Sequence, residues 1–217
     1  MVRRLGILTT AFVLVLAACG SDDDEASTTT TTTTTAPTTT PAATDDPPIW
    51  PASDVDPFAT PDDAAIGFAR DFLGMPDASL GEPTGTDDRV AIRPYDERGP
   101  STIVEVAERE GGWVVTGATT EEIVVTEPTP EAPLTNPLVV SGESTAFEGT
   151  INLEVRLVGD TEAIASGFAT GGANGVMGPF ETTLELTTEE SHVVLTVFAP
   201  DASGDAEMLA ATVLLLG

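Results

Sequence analysis

Residues 121–217 show apolar and polar side chains in alternation, in short segments that are separated by Gly, Pro and Asp. The alternation is clearest over 150–158 and 180–186, where every second side chain is apolar. A period of two indicates a β-strand with one face buried and the other exposed to water. The regular spacing of these segments predicts an antiparallel β-sandwich. The predicted strands cover 123–126, 138–142, 150–158, 163–169, 180–186, 192–198 and 208–215.

Residues 49–120 begin with a helical pattern instead. Thr60 is a suitable N-cap, Pro61 suits the first helical position, and two acidic residues follow, at the positive end of the helix dipole. Apolar residues then recur at helical spacing as far as Leu73, and Gly74 is a typical C-terminal cap. A helix is therefore predicted to begin at Pro61 and to end before Gly74.

Three short strands are predicted after this helix, at 89–95, 102–108 and 112–116. One helix beside a small antiparallel sheet makes residues 49–120 a small α+β unit. Trp113 is expected to pack between the helix and the sheet, and a place in a binding site is the alternative.

The start of the chain carries an export signal. Arg3 and Arg4 precede an apolar run that is shorter than the roughly 20 residues needed to span a bilayer, so residues 1–18 are predicted to be a signal peptide. The run ends in Leu-Ala-Ala-Cys, which resembles a bacterial lipobox. That resemblance implies cleavage before Cys19 and lipidation of its thiol, since a thiolate is the nucleophile that takes the lipid. A plain secretory signal with a chance cysteine is the alternative.

Residues 19–48 are rich in Thr, Pro and acidic residues and have no apolar periodicity. A segment with so little to bury is predicted to stay disordered, as a lipidated linker of up to about 90 Å. Such a stalk would carry a folded domain away from the membrane. Tracts of Thr and Pro on exported proteins are often O-glycosylated, and a bare linker is the equal alternative.

Composition and charge argue against direct binding to nucleic acid and to anionic lipid. The chain has 217 residues, eight arginines, no lysine and a formal net charge of -28, which becomes -30 when Arg3 and Arg4 leave with the signal peptide. Nucleic acid would be repelled, and no basic stripe indicates otherwise. Anionic lipid would be repelled as well, so attachment to the membrane is expected through acyl chains alone.

Few residues point to chemistry. His192 is the single histidine, and without a cysteine partner it cannot form a zinc site by itself. The glycine cluster 171–175 lacks the lysine of a phosphate-binding loop and is predicted to be a flexible hairpin-like loop. Asp201 and Asp205 are weak metal candidates, because alternate oxygens suit calcium, but a plain polar turn is favoured. We therefore expect no catalytic residues, no cofactor and no enzyme activity.

The second segment resembles the immunoglobulin-like domain of bacterial spore germination. The resemblance rests on five stretches in order and covers roughly 123–217. They are 137–138 (PL), 141–142 (SG), Ala146–Thr150 (AFEGT), 166–172 (SGFATGG) and 178–180 (GPF). Residues 49–120 are similar to the unit that precedes such domains in actinobacterial lipoproteins. The implied fold class is mainly β, with a C-terminal immunoglobulin-like β-sandwich over 121–217, a small α+β unit over 49–120 and a disordered N-terminal tail.

Two details of the sandwich are predicted from single residues. Phe147 is expected to plug one end of the sandwich while Gly149 takes a positive φ, and a ligand-contacting loop is the alternative. The last strand, 208–215, is more apolar than an exposed edge should be, so we expect it to be central or covered by a partner.

These observations predict a non-enzymatic cell-envelope lipoprotein, exported and lipid-anchored to the outer face of the cell membrane. Its partner would be an envelope protein or a wall polymer. The alternative is a structural accessory subunit of a membrane or envelope complex without a ligand of its own.

Overall fold

The computed structural model describes residues 48–82, 88–93, 101–188, 192–200 and 207–217. The predicted signal peptide, the disordered tail, Cys19, Asp201 and Asp205 all lie outside these ranges. Among the described residues, no helix has the length and apolar character needed to cross a membrane.

The one α-helix among the described residues begins where the sequence predicts. Helix α1 is Pro61–Gly67, and its N-cap Thr60 accepts a hydrogen bond at Oγ1 from the backbone N–H of Asp63 at 3.1 Å. The chain continues as a wider π-helical turn, Phe68–Phe72, and Gly74 then takes a φ of 71°. The predicted start is confirmed, and the residue that ends the helical path is the predicted glycine.

A four-stranded antiparallel sheet follows, in the order β1-β2-β3-β4. Its strands are β1 (Ser79–Leu80), β2 (Arg89–Arg93), β3 (Thr102–Arg109) and β4 (Gly112–Thr119). The three predicted strands are confirmed in the described residues, so one helix does lie beside a small antiparallel sheet. Trp113 is half-buried at the margin of the core, where its backbone pairs with that of Phe58.

The C-terminal part is a sandwich of two sheets. One sheet has the order β10-β6-β5, with β9 added in parallel to the end of β6, and the other has the order β12-β11-β7-β8. The strands are β5 (Ile123–Glu127), β6 (Leu138–Ala146), β7 (Thr150–Leu157), β8 (Ala163–Thr170), β9 (Gly172–Ala173), β10 (Gly178–Leu184), β11 (His192–Pro200) and β12 (Glu207–Leu216). All seven predicted strands are present, and the two-residue β9 is an addition.

The sheet β12-β11-β7-β8 is buried on both of its faces over much of its area. Its inner face supplies side chains such as Leu195 and Val197 to the core between the two sheets. Its outer face supplies Val194, Phe198 and Ala210 to a second core, which also contains α1, the π-helical turn and β2–β4. This is why β11 reads as a continuous apolar run. The division of the chain into two domains, 49–120 and 121–217, stays a prediction. The second core contains residues of both segments, so it is where they contact each other.

The apolar C-terminal strand has an explanation within the chain. β12 is at the edge of its sheet, yet Leu209, Ala211 and Val213 face one core while Ala210 faces the other. Its outer edge is lined by residues 131–134, where the N–H of Leu134 donates to the carbonyl of Leu216 at 2.7 Å. The expectation of a central or partner-covered strand was wrong, because other parts of the same chain cover this edge strand.

Candidate functional site

The residues that the sequence singled out for chemistry do not converge in the described structure. Cys19, Asp201 and Asp205 lie outside the described residues, and His192 is exposed at the start of β11, opposite Leu216. Within the described ranges, no group of three or more His, Cys, Asp or Glu side chains is placed to hold a metal ion.

A different region is unusual for its exposed apolar side chains. It is the end of the sandwich where β6 leads through the 3-10 turn Phe147–Gly149 into β7, and where residues 171–178 connect β8 to β10. Four large apolar side chains at this end are exposed to solvent, by 72% at Phe168, 68% at Val176, 53% at Phe147 and 38% at Met177. We call these four residues the apolar end.

Phe147 was predicted to plug the sandwich, and that prediction was wrong. Its side chain is more than half exposed, because the turn that carries it directs the ring away from the core. The prediction for Gly149 is confirmed, since its φ is 75°, and Glu148 beside it has a φ of 55°. The alternative of a ligand-contacting loop at this position therefore gains support.

Phe168 is exposed because β8 carries small residues on its inward face and its large aromatic residue on its outward face. The inward positions of β8 are Ala165, Gly167 and Ala169, opposite Val155, Leu153 and Ile151 of β7. A Cβ on Gly167 would lie 2.6 Å from Cδ2 of Leu184, so any side chain at this inward position would have to displace Leu184. Phe168 therefore lies on the outward face, opposite Asn152.

Backbone packing holds the loop that carries Val176 and Met177. The N–H of Gly171 donates to the carbonyl of Gly149 at 2.8 Å, and the N–H of Gly175 donates to Oγ1 of Thr145 at 3.1 Å. A Cβ on Gly172 would overlap the carbonyl oxygen of Val176, and a Cβ on Gly171 would overlap Oγ of Ser144. The glycines thus allow the loop to pack directly on β6, which presents Val176 in a defined position.

The charged side chains of the sandwich are almost all acidic. Residues 121–217 include 16 Asp and Glu residues, no lysine and a single arginine, Arg156. Arg156 is only 8% exposed, donates from its guanidinium to the carbonyl of Phe72 and to the carboxylate of Glu154, and lies over the rings of Phe72 and Phe198 at 4.8 and 5.5 Å. The only arginine of the sandwich is thus engaged on the covered face and leaves the surface to carboxylates.

A groove of about 300 Å³ lies where β4 meets β12. Two carboxylates, Glu105 and Glu131, and the hydroxyl of Thr212 line it, and that hydroxyl accepts a hydrogen bond from the N–H of Ala118 at 2.8 Å. The described residues of this groove include no Ser, Cys or His that could act as a nucleophile or a base beside the carboxylates. We interpret the groove as the gap left where the N-terminal sheet, through β4, packs beside the C-terminal sheet, through β12.

Residues 122–206 match the family model of the immunoglobulin-like domain of bacterial spore germination. The C-terminal sandwich is such a domain. This confirms the resemblance drawn from the sequence, and domains of this kind are generally non-catalytic. Neither a search of curated proteins nor one of solved structures gave a match.

Three of the five stretches that carried the family resemblance lie at the apolar end, whereas 137–138 and 141–142 lie at the start and in the middle of β6. AFEGT contains Phe147 and Gly149, SGFATGG contains Phe168 and Gly171, and GPF follows directly on Met177. Sequence reasoning took these residues as structural and missed Phe168, Val176 and Met177. The available signals were the single aromatic among the small residues of 163–170 and an apolar pair inside a glycine-rich loop.

Proposed function

We propose that this chain is a non-enzymatic cell-envelope lipoprotein whose immunoglobulin-like domain binds another protein through the apolar end. The observation that carries the proposal is the exposure of Phe147, Phe168, Val176 and Met177 at one end of the described sandwich. Large apolar side chains left in water are typical of interaction sites, and loops on a scaffold of strands commonly carry function.

A protein is a better partner than a wall polymer for this surface. Aromatic and aliphatic side chains gain free energy by leaving water against other apolar groups, at about 25 cal/mol per Å² buried. Charged or heavily hydroxylated polymers offer little apolar area for such contact. Anionic polymers would also be repelled by the acidic surface of the sandwich.

The location of this activity follows from the N-terminal sequence. Residues 1–18 would direct export, acyl chains on Cys19 would hold the protein on the outer face of the membrane, and residues 20–48 would separate it from the folded part. The net charge supports this reading, because a chain at -28 cannot attach to an anionic membrane through its own side chains.

Site-specific photocrosslinking in intact cells tests the binding function. A photoreactive phenylalanine analogue at position 168 or 176 is expected to form a discrete adduct with one protein. The same analogue at position 139 or 55, where exposed valines lie away from the apolar end, is the matched control. Adducts that are equal at all four positions, or absent from all of them, would contradict the proposal.

The identity of the crosslinked protein distinguishes a binding module from an accessory subunit of an envelope complex. A membrane protein in a fixed ratio to this chain would indicate an accessory subunit of an envelope complex. A soluble exported protein would indicate a binding module. Turnover of a wall polysaccharide that a point mutation abolishes would contradict the non-enzymatic assignment.

The anchor is tested by Cys19→Ala. The variant is expected to leave the membrane fraction and to lose incorporation of a labelled fatty acid, because the acyl chains are the proposed attachment. Cys19→Ser is a second variant with the same expectation. A wild type without lipid label, together with a variant that stays with the membrane, would show that the lipobox interpretation is wrong.

A further inference from the structure

We propose that the protein bound at the apolar end presents an apolar patch flanked by arginine or lysine side chains. This inference rests on the proposed function and specifies the chemistry of the partner. Three features of the sandwich support it: the carboxylates beside the apolar end, the position of the only arginine, and the packing of the loop on β6.

Carboxylates border the apolar end on its β6 side. Glu148 is exposed in the same turn as Phe147, and Glu143 is exposed on β6 two residues before Thr145. The carbonyl of Glu122 accepts from the N–H of Thr145 at 2.9 Å, which places the half-buried Glu122 and the exposed Glu121 beside the end of β6. We call Glu121, Glu122, Glu143 and Glu148 the acidic rim.

The sandwich has no basic side chain of its own to offer this rim. Residues 121–217 hold no lysine, and Arg156 lies at the opposite end of β7 from the turn Phe147–Gly149. Arg156 is six positions along the strand from Thr150, which corresponds to about 20 Å. The guanidinium is also buried in contacts with Phe72, Phe198 and Glu154, so it cannot serve the rim.

An acidic rim along the β6 side of the apolar end selects the charge of the partner surface that faces it. A partner with acidic residues at the same positions would bring like charges together at the edge of a desolvated patch, which is costly. A partner with basic residues there would gain from the same geometry and would be steered toward the site. Membranes with anionic head groups are disfavoured for the same reason, even though the apolar residues alone would suit a lipid surface.

The rigidity of the loop favours a protein surface with a defined shape. Gly171 and Gly172 lack the room for a Cβ, and the loop is hydrogen-bonded to Gly149 and Thr145. Because the site is formed in advance, binding does not pay the entropic cost of ordering this loop.

Two matched peptides test the charge preference. Both are amphipathic helices with one identical leucine face, and the face is flanked by lysine in one peptide and by glutamate in the other. Binding to the full chain is followed by the methyl NMR signals of Val176 and Met177, with phosphatidylglycerol vesicles as a third probe. We expect the lysine-flanked peptide to bind about tenfold more tightly at low salt and to lose most of that advantage at about 0.5 M salt.

Variants locate the effect. Glu121→Gln combined with Glu148→Gln should reduce the preference for lysine from both sides. The lysine-flanked peptide should bind more weakly because it loses attraction, and the glutamate-flanked peptide should bind more tightly because repulsion is relieved. Val176→Ser should weaken both peptides equally, because it removes apolar contact and no charge. Thr183→Ala, on the outer face of β10, is the control and should change neither.

Three outcomes would overturn the inference: equal affinities for the two peptides, shifts away from Val176 and Met177, or tighter binding of phosphatidylglycerol vesicles than of the lysine-flanked peptide. If crosslinking at positions 168 and 176 captures a protein while the peptides show no charge preference, the proposed function stands and the basic flank is wrong. If crosslinking at those positions captures none, the proposed function itself fails.

Discussion

Two apolar surfaces in the described part of the sandwich lie outside its own core, and they differ in what covers them. The outer face of β11 and β12 presents Val194, Phe198 and Ala210, which are all buried by α1, the π-helical turn and β2–β4 of the same chain. The apolar end presents Phe147, Phe168, Val176 and Met177, which are all exposed. Surfaces of similar composition thus serve folding in one place and remain available for binding in the other.

On the covered face, aromatic rings and a buried arginine from within the same chain pack over the apolar side chains. Phe68 and Phe72 stack with ring centroids 4.9 Å apart, and Arg156 lies between Phe72 and Phe198 with its guanidinium donating to the carbonyl of Phe72. The apolar end has no such cover among the described residues. The comparison predicts that mutations on the first surface change stability, and that mutations on the second change binding.

The largest effect is expected from Phe198→Ala. This side chain is almost fully buried in the second core, so its loss should lower the free energy of unfolding by about 3–5 kcal/mol. Urea unfolding followed by circular dichroism measures the change, with Val139→Ala on the exposed face of β6 as the control. A loss below about 1 kcal/mol would mean that the N-terminal unit does not firmly cover this face.

A smaller loss is expected when the loop is forced away from β6. Gly172→Ala places a Cβ against the carbonyl of Val176 and should cost about 2–3 kcal/mol while displacing Val176. Gly175→Ala meets no atom within 4 Å and has only the strain of its φ of 76°, so about 1 kcal/mol is expected. Thermal unfolding and the methyl signal of Val176 measure both effects. Equal costs for the two variants would argue against a tightly packed loop.

Arg156→Ala is expected to cost about 2 kcal/mol, because it removes a buried cation over two aromatic rings and leaves the carbonyl of Phe72 without its donor. Glu154→Gln should change the free energy of unfolding by at most about 1 kcal/mol, since the carboxylate of this pair is partly exposed. Urea unfolding compares the two. If the Glu154 variant lost as much as the Arg156 variant, the ion pair rather than the aromatic contact would dominate.

The smallest change in stability is expected at the apolar end. Phe168→Ser and Val176→Ser should each alter the free energy of unfolding by less than about 0.5 kcal/mol, because the side chains are largely in water. The same variants should abolish the adduct formed from a crosslinker at position 147. A large loss of stability would instead show that these residues belong to a core.

Local patterns predicted most of the elements. Thr60, Pro61 and Gly74 marked the helical path because capping depends on a few neighbouring residues. The alternation over 150–158 and 180–186 indicated strands because the side chains of a strand alternate between its faces. The resemblance to the immunoglobulin-like domain of bacterial spore germination was confirmed on residues 122–206. The lipidation of Cys19 stays a prediction, as does binding at the envelope.

Whether an apolar residue is covered depended on contacts between distant parts of the chain. Phe147 was misassigned because a local pattern shows that a residue is apolar and does not show which segment lies over it. The apolar C-terminal strand was misread for the same reason, since residues 131–134 and the N-terminal unit cover it.

The sequence by itself therefore determined the strands, the helix start and the acidic, lysine-free surface, because these depend on residue type and on neighbours along the chain. Only the tertiary structure decided that the outer face of β11 and β12 is a second core while Phe168 and Val176 remain in water. The physical reason is that burial is set by which segments meet in space, and an alternating pattern is the same whether its apolar face meets its own chain or another protein.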